Sequence, residues 1–263
     1  MSTKSVLAIA AHPDDIEFVM AGTLLQLAVR GWKVHYFNIA NGCCGSMTLD
    51  KEACARTRLL EAQRAASLIP AEFYPPVCND LEIFYTSELL QQVAAVVRRA
   101  QPEIVLTHAP VDYMEDHQNA ARLAVTAAFV RGMPNFSTQP QIQTYATDVT
   151  VYHAQPHGNR NPLGEVVRPT HVVDVTTFKQ RKEELLCAHA SQGQWLDETQ
   201  QMSSYVETMF ALNREVGRMS HQFDLAEGWR KHLHLGFSAS AEVDPLREAL
   251  GNDLILSPGI KTQ

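Results

Sequence analysis

Two histidines and a pair of aspartates stand where buried strands give way to helices, and side chains of these types bind metals. The apolar run "SVLAIAA" is followed directly by His12, Asp14 and Asp15, and the later run "EIVLTHA" is followed, after a short loop, by His117. In an open parallel sheet, the loops after such strands lie side by side at the edge where ligands bind. The spacing therefore predicts that His12, Asp15 and His117 hold one divalent ion, with Asp14 beside it as a general base.

The first of these stretches excludes one function and leaves a second interpretation open. A phosphate-binding loop needs glycines where the helix begins, but the first glycine after His12 is Gly22. The negative charge of Asp14 and Asp15 favours a cation instead. The same pair also fits a simple helix N-cap, and Asp116 is expected either to cap its helix or to support a metal ligand from outside.

Strands alternate with helices along the first two thirds of the chain. Buried apolar runs predict strands at 5–11, 33–40 and 103–109, and amphipathic spacing predicts helices at 17–30, 54–68, 87–100 and 116–130. Further strands are expected within "TYATDVTVYHA" and "THVVDVT", and from about residue 176 the pattern predicts helices. This order is typical of a Rossmann-like α/β fold, an open and mostly parallel sheet flanked by helices, with a helical C-terminal elaboration.

Composition and charge are those of an ordinary globular protein. The chain has 263 residues, 45% of them hydrophobic, and its 22 basic and 29 acidic residues give a net charge of −7. We expect one domain over residues 1–250 and a loose tail over 251–263. There is no basic cluster of the kind that binds nucleic acid, no apolar run of membrane-spanning length, and no paired spacing among the five cysteines. These features predict a cytoplasmic, unprocessed protein with free thiols.

Four segments carry a resemblance to a known family. "AHPDDIE" followed by "AGTL", then "QPEIVLTHAP" and "DYMEDH", resemble the LmbE-like, phosphatidylinositol-glycan-class-L de-N-acetylases. These are zinc-dependent amidases that remove acetyl groups from N-acetylglucosamine conjugates, including the mycothiol and bacillithiol precursors. The resemblance implies that His12, Asp15 and His117 bind Zn²⁺, with Fe²⁺ or another divalent transition metal as alternatives. It assigns the general base to Asp14.

The same resemblance reaches two residues outside these motifs. Asn41 and Arg58 stand at positions that resemble the substrate-contacting positions of the family. For Arg58 we weigh this role against a surface salt bridge to Glu61, which stands at the spacing for such a pair on a helix. His108, at the end of "EIVLTHA", is interpreted as a packing residue rather than a ligand.

The chain departs from the family pattern at three positions. Met114 replaces a histidine that stabilises the oxyanion or protonates the leaving group, Cys43 replaces a glutamate, and Ala21 replaces a glycine. A thioether can do neither task of the missing histidine. Because His153 and His157 follow a predicted strand end, we hypothesise that one of them, preferably His157, takes over catalysis, with His153 contacting substrate.

We therefore predict a hydrolase that removes acetyl from an N-acetylated amino-sugar conjugate with metal-activated water. Three alternatives stay open: an amidase for a larger sugar–thiol conjugate, a metal- and sugar-binding protein without catalysis, and a non-haem iron oxygenase, whose sites usually lie in β-barrels. Cys43 and Cys44 are interpreted as loop fillers rather than as a second metal or redox feature. Homo-oligomerisation is left open by the sequence.

Overall fold

A computed structural model describes residues 4–192 and 205–257. Its strands are β1 (Ser5–Ala10), β2 (Lys33–Asn38), β3 (Glu72–Tyr74), β4 (Ile104–Thr107), β5 (Thr150–Ala154), β6 (His171–Asp174), β7 (Ala226–Lys231) and β8 (Leu254–Leu256). The helices of the described ranges are α1 (Asp15–Val19), α2 (Ala21–Val29), α3 (Lys51–Leu68), α4 (Ser87–Ala100), α5 (Glu115–Phe129), α6 (Lys179–Leu186), α7 (Tyr205–Ser220) and α8 (Pro245–Leu250).

The strands form one sheet in the order β3-β2-β1-β4-β5-β7-β6-β8. The first five strands are parallel, and β7 and β8 run antiparallel to their neighbours. The mostly parallel α/β fold predicted from the sequence is confirmed. From β1 the chain continues to β2 and β3 on one side and then returns to β4 on the other, so strand order reverses between β1 and β4. Ligands of such folds bind at the carboxyl ends of strands at this reversal.

Strand β1 lies at the centre of the core because both of its faces are covered. Val6, Ala8 and Ala10 belong to one hydrophobic cluster with residues of α2, α3, α6, α7 and α8, whereas Leu7 and Ile9 belong to a second cluster with residues of α4 and α5. All six residues of β1 are buried. A continuous apolar run is what a doubly covered parallel strand requires. The sheet therefore holds the end of β1, and the polar residues that follow it, in a rigid position.

The structure differs from the sequence prediction mainly in the last third of the chain. Strand β7 interrupts the region predicted as helical, and residues 254–256 of the expected loose tail form β8, which pairs with β6. Strand β7 carries no clear alternation, because its Glu227 is buried beside Lys182. Of the region predicted as helical from about residue 176, α6 and α7 lie in the described ranges, and residues 193–204 lie outside them. No helix within the described ranges is long and apolar enough to cross a membrane.

Candidate metal centre

The turn between β1 and α1 presents three polar side chains at the edge of the sheet. Asp14 adopts a φ of 99°, in the left-handed region that favours glycine, and Asp15 is the first residue of α1. Asp14 makes no capping hydrogen bond to α1. Asp15 Oδ2 accepts a hydrogen bond from the His12 backbone N–H at 2.7 Å, which folds its carboxylate back over the turn. The N-cap interpretation of this pair therefore does not describe these side chains.

The structure brings together the three residues predicted as metal ligands. Asp15 Oδ1 lies 3.4 Å from His117 Nε2, and Asp15 Oδ2 lies 3.5 Å from His12 Nδ1. One ligand atom from each of the three residues lies within 4.8 Å of the other two. His117 reaches this point from α5, the helix that follows β4, across the reversal of strand order. Two imidazoles and one carboxylate form a donor set that fits zinc or another divalent transition metal.

Two further carboxylates contact the ring nitrogens of His12 and His117 that face away from Asp15. Asp116 Oδ2 lies 2.8 Å from His12 Nε2, and Asp112 Oδ1 lies 3.1 Å from His117 Nδ1. Since an ionised carboxylate only accepts, each imidazole donates an N–H here, and its other ring nitrogen faces Asp15. Metal-binding histidines usually have such a carboxylate behind them, so the surroundings also fit a metal. Asp116 supports His12 rather than capping α5, whose N-cap residue is Met114.

The carboxylates give this cluster a strong preference for positive charge. Burial opposes the charged form of His12, but hydrogen bonds to Asp116 and Asp15 outweigh it and raise its pKa to about 9. Burial likewise opposes the charge on His117, but Asp15 and Asp112 raise its pKa to about 10. For Asp15, burial is outweighed by His117 and His108, which hold the pKa of this carboxyl well below its usual range. A divalent ion would satisfy the same negative charge.

His108 contacts the cluster more closely than the packing interpretation predicts. Its ring stacks on that of His117 with centroids 4.1 Å apart, and its Nε2 lies 3.2 Å from Asp15 Oδ2. The same nitrogen accepts the Ala11 backbone N–H at 2.9 Å. Burial lowers the pKa of His108. The His108 ring is therefore neutral, with its lone pair on Nε2, and it borders the cluster on the side of β4.

Asp14 is held by two residues from distant parts of the chain. Arg58 of α3 places its guanidinium 3.3 Å from Asp14 Oδ1, and Tyr205 of α7 donates its hydroxyl to Asp14 Oδ2 at 2.6 Å. Arg58 also donates to the Pro13 carbonyl. Burial raises the pKa of Asp14, while Arg58 opposes that rise. The predicted salt bridge between Arg58 and Glu61 is wrong, because Glu61 accepts hydrogen bonds from Ser191 instead.

A cavity of about 320 Å³ opens above the cluster and Asp14. Its wall includes His157, whose ring lies 5.1 Å from that of Phe18 and 5.5 Å from that of Tyr113. Burial lowers the pKa of His157. Met114 also lines the cavity. His157 thus shares the cavity with the position where the family pattern has a histidine.

The structure does not bring Asn41 and His153 into this cavity. Asn41 Nδ2 donates to Asn79 Oδ1 at 2.9 Å. The His153 ring lies between the His108 carbonyl oxygen, 2.8 Å away, and His232 Nδ1, 3.0 Å away, and it lines a separate surface depression. Because its partners hold both ring nitrogens outside the cavity, the expectation that His153 contacts substrate there does not fit this geometry.

Sequence reasoning missed several residues of the site. Asp112 stands five residues before His117, and the sequence could have identified it as a partner of that histidine, because carboxylates often support metal-binding histidines. Tyr205 and Gln155 line the cavity from elements far from the motifs. Nothing in the local pattern around Tyr205 distinguishes it from a core residue of an amphipathic helix.

An open α/β sheet with a His–Asp–His cluster at its strand reversal defines a protein with a candidate divalent-metal centre. Residues 7–128 match the model of the PIG-L family, described as GlcNAc-PI de-N-acetylase. The matched segment is a little under half of the chain and contains His12, Asp14, Asp15 and His117, so this part of the chain is similar to the family. This match confirms the family resemblance that the sequence motifs indicated.

Two individual proteins are also similar to this chain. The chain is 32% identical over 142 residues to diacetylchitobiose deacetylase of Thermococcus kodakarensis, a match that covers 51% of this chain and 52% of that protein. It therefore spans about half the length of this relative. It is 29% identical over 191 residues to 4-oxalmesaconate hydratase of Pseudomonas putida, covering 68% of this chain and 70% of the relative.

A solved structure shows the same fold. The N,N′-diacetylchitobiose deacetylase from Pyrococcus horikoshii superposes with a TM-score of 0.74 over 93% of this chain and 89% of that chain. The two sequences are 23% identical, so this likeness describes the architecture.

Proposed function

We propose that this protein is a metal-dependent N-deacetylase acting on an N-acetylated amino-sugar conjugate. The observation that carries the proposal is the placement of Asp14. Its carboxylate stands beside the His12, Asp15 and His117 cluster, at the same cavity, without belonging to that cluster. Hydrolysis of an amide by activated water needs such a second carboxylate to move the proton.

His12, Asp15 and His117 would hold the metal, with zinc the first choice for this donor set. When bound, the ion polarises the amide carbonyl and makes the attacking water more acidic. Asp112 and Asp116 keep the two imidazoles oriented with their inner nitrogens toward Asp15.

Asp14 accepts the proton from the attacking water and returns it to the departing amine nitrogen. Its burial supports both steps, since burial raises its pKa and so helps the carboxyl to keep the proton until the amine leaves. Arg58 and Tyr205 hold the two carboxylate oxygens, one each, so the carboxylate is positioned before the substrate arrives.

His157 is the residue of this chain that we assign to the carbonyl oxygen. Met114 has a thioether, which donates no hydrogen bond to a developing oxyanion. His157 lines the same cavity, and an imidazole N–H provides the donor. The ring contacts with Phe18 and Tyr113 fix its position against the cavity wall.

The names of two relatives direct the choice of substrate. Both are deacetylases of diacetylchitobiose, a disaccharide of N-acetylglucosamine. The cavity is at the small end of the range for ligand sites and fits a single sugar ring with its acetamido group better than a large conjugate. Of the residues predicted to contact substrate, Arg58 borders this space, whereas Asn41 and His153 do not.

Acetate release tests the proposal. The zinc-loaded protein is incubated with N-acetylglucosamine and with N,N′-diacetylchitobiose, and acetate is measured by a coupled enzyme assay. We expect turnover that a chelator abolishes and that zinc restores. Metal binding without acetate release from either sugar or from a sugar–thiol conjugate would leave a binding protein and refute the deacetylase proposal. Release from a sugar–thiol conjugate alone would move the substrate to the larger class.

Hydration of a carbon–carbon double bond is the second candidate. The hydratase relative aligns with more of this chain than the deacetylase relative does, 68% against 51%. Addition of water uses a base to activate the water, which Asp14 provides, and Arg58 provides a cation at the cavity for a carboxylate substrate. Loss of the ultraviolet absorbance of 4-oxalmesaconate on incubation with the protein would favour this reaction.

The cellular setting forms part of the proposal. All five cysteines are free, which supports a reducing compartment such as the cytoplasm. The substrate is a small molecule, and assembly into a homo-oligomer stays a prediction for solution measurements.

A further inference from the structure

A second group of metal-binding side chains lies in the wall of the same cavity. Cys43 and Cys44 follow β2 in the loop over residues 41–45, and Asp80 faces them from the loop after β3. One ligand atom from each lies within 4.8 Å of the other two. Cys43 and Asp80 are buried, whereas Cys44 is exposed. The His12, Asp15 and His117 centre includes none of these residues.

The sulfur atoms are spaced for a shared ion rather than for a bond to each other. Cys43 Sγ and Cys44 Sγ lie 3.9 Å apart. Two thiolates on one tetrahedral zinc, each at about 2.3 Å, lie about 3.8 Å apart. A disulfide needs about 2.05 Å, which would require the loop to change.

Asp80 is fixed in position and still has coordinating capacity. Its Oδ1 accepts the Gly42 backbone N–H at 2.6 Å, and its Oδ2 accepts the Cys44 backbone N–H at 2.9 Å. Each carboxylate oxygen has a second lone pair, so neither bond prevents coordination. The loop and the carboxylate are thus connected before an ion binds.

A neighbouring cation offsets part of the negative charge of this group. Two thiolates and one carboxylate carry −3, and a divalent ion leaves −1. The Arg58 guanidinium lies against the loop, since a Cβ on Gly42 would meet Arg58 Nε at 2.6 Å and a Cβ on Gly45 would meet its Nη1. Arg58, which also pairs with Asp14, offsets part of this charge, and that lowers the cost of holding the ion in a partly buried wall.

We propose that Cys43, Cys44 and Asp80 form a second metal site, which binds a thiophilic divalent ion such as Zn²⁺ or Cd²⁺. Two thiolates select against Mg²⁺ and Ca²⁺, which prefer oxygen ligands. Because Cys44 and Asp80 line the cavity, the fourth coordination position faces the space where substrate is proposed to bind. An ion there stiffens the loop that packs on Arg58, and Arg58 in turn holds Asp14.

The neighbouring cysteines are not part of this site and serve as controls. Cys54 Sγ donates to the Gly42 carbonyl at 3.2 Å, and Cys78 Sγ donates to the Ile39 carbonyl at 3.5 Å. Cys187, just after α6, belongs to neither loop. Replacing Cys54 or Cys187 by serine therefore leaves the proposed ligand set intact.

Cadmium titration of the metal-free protein tests the proposal without any activity assay. Bound Cd²⁺ is counted by equilibrium dialysis, and thiolate coordination is followed by its ultraviolet charge-transfer band. We expect two equivalents and a clear band for the wild-type protein, and the same for Cys54→Ser and Cys187→Ser. The Cys44→Ser variant should lose one equivalent and at least half of the band, and His117→Gln should lose the other equivalent but keep the band.

Two results would overturn the assignment. One is a wild-type protein that binds a single equivalent with no thiolate band. The other is a band of full intensity in Cys44→Ser. Cys44 is exposed, so this variant is expected to fold, and its circular dichroism spectrum verifies that. Asp80→Asn supplies an independent variant, which should weaken Cd²⁺ binding while retaining the band at saturation.

Discussion

Tyr205 donates its hydroxyl to Asp14 Oδ2 at 2.6 Å, although 191 positions separate the two residues in the sequence. On the other side of the carboxylate, Arg58 lies 3.3 Å from Oδ1. The turn after β1, helix α3 and helix α7 therefore meet at one side chain. Asp14 also has a φ of 99°, and a strained backbone of this kind persists where its surroundings hold it in place. The fold thus concentrates its constraints on the proposed base.

Replacing Asp14 by asparagine should separate catalysis from metal binding. Asparagine tolerates a positive φ better than alanine does, so Asp14→Asn retains the turn while it removes the proton acceptor. We expect kcat to fall by about 10²–10⁴-fold, the usual contribution of a general base, with near-stoichiometric metal. Acetate release and metal analysis measure the two quantities. Wild-type turnover in this variant would exclude Asp14 as the base.

Tyr205→Phe should reduce turnover without changing metal content. The variant keeps the ring that stacks on Phe18 and removes only the hydroxyl that orients Asp14. A hydrogen bond to a charged group contributes about 1.5–3 kcal/mol, so we expect a loss of roughly tenfold or more in kcat. Tyr85→Phe is the matched control, because its hydroxyl bonds to Thr126 on the surface. Equal rates for the two variants would contradict the positioning role.

Asp112→Asn and Asp116→Asn should each weaken metal binding by about 10–100-fold. These carboxylates accept hydrogen bonds from His117 and His12, so their loss frees the imidazoles to rotate and lowers the basicity of the inner nitrogens. Competition with a zinc chelator gives the affinities. Asp244→Asn provides the comparison, since Asp244 pairs with His171 in another part of the protein. An unchanged zinc affinity in both site variants would remove Asp112 and Asp116 from the centre.

The central half of the fold was predictable because its strands are buried on both faces and its helices are amphipathic. Helix α4 was predicted with the bounds that the structure has, and Thr86 caps it as a residue of its type should. Strands β3 and β8 were missed because each has three residues, too few to show a period. Strand β7 was missed because its burial depends on an ion pair between Glu227 and Lys182, which no local pattern contains.

Within the site, the cluster of His12, Asp15 and His117 was predictable because strand ends at a strand reversal converge. The partners of Asp14 were not. Arg58 looked like a helix-surface residue paired with Glu61, yet α3 turns it inward and only 3% of it is exposed. Whether Arg58 faces the cavity or the solvent depends on how the whole of α3 packs. The residues next to Arg58 in the sequence do not contain that information.

The pair formed by Asp244 and His171 should make the free energy of unfolding depend on pH in the acidic range. Burial opposes the charge on Asp244, but hydrogen bonds from His171 and Tyr152 outweigh it and lower its pKa to about 2. In the unfolded chain this carboxyl has a pKa near 3.9 and binds a proton more readily than in the folded protein. The pair therefore stabilises the folded state above pH ~4, and this stabilisation is lost as pH falls toward 2. The contribution lost is roughly 2–3 kcal/mol.

Urea unfolding followed by circular dichroism at several pH values should therefore show a smaller acid-induced loss of unfolding free energy for Asp244→Asn than for the wild-type protein. Asp148→Asn, at an exposed aspartate, should retain the wild-type dependence, and an identical dependence in Asp244→Asn would mean that the pair does not stabilise the fold.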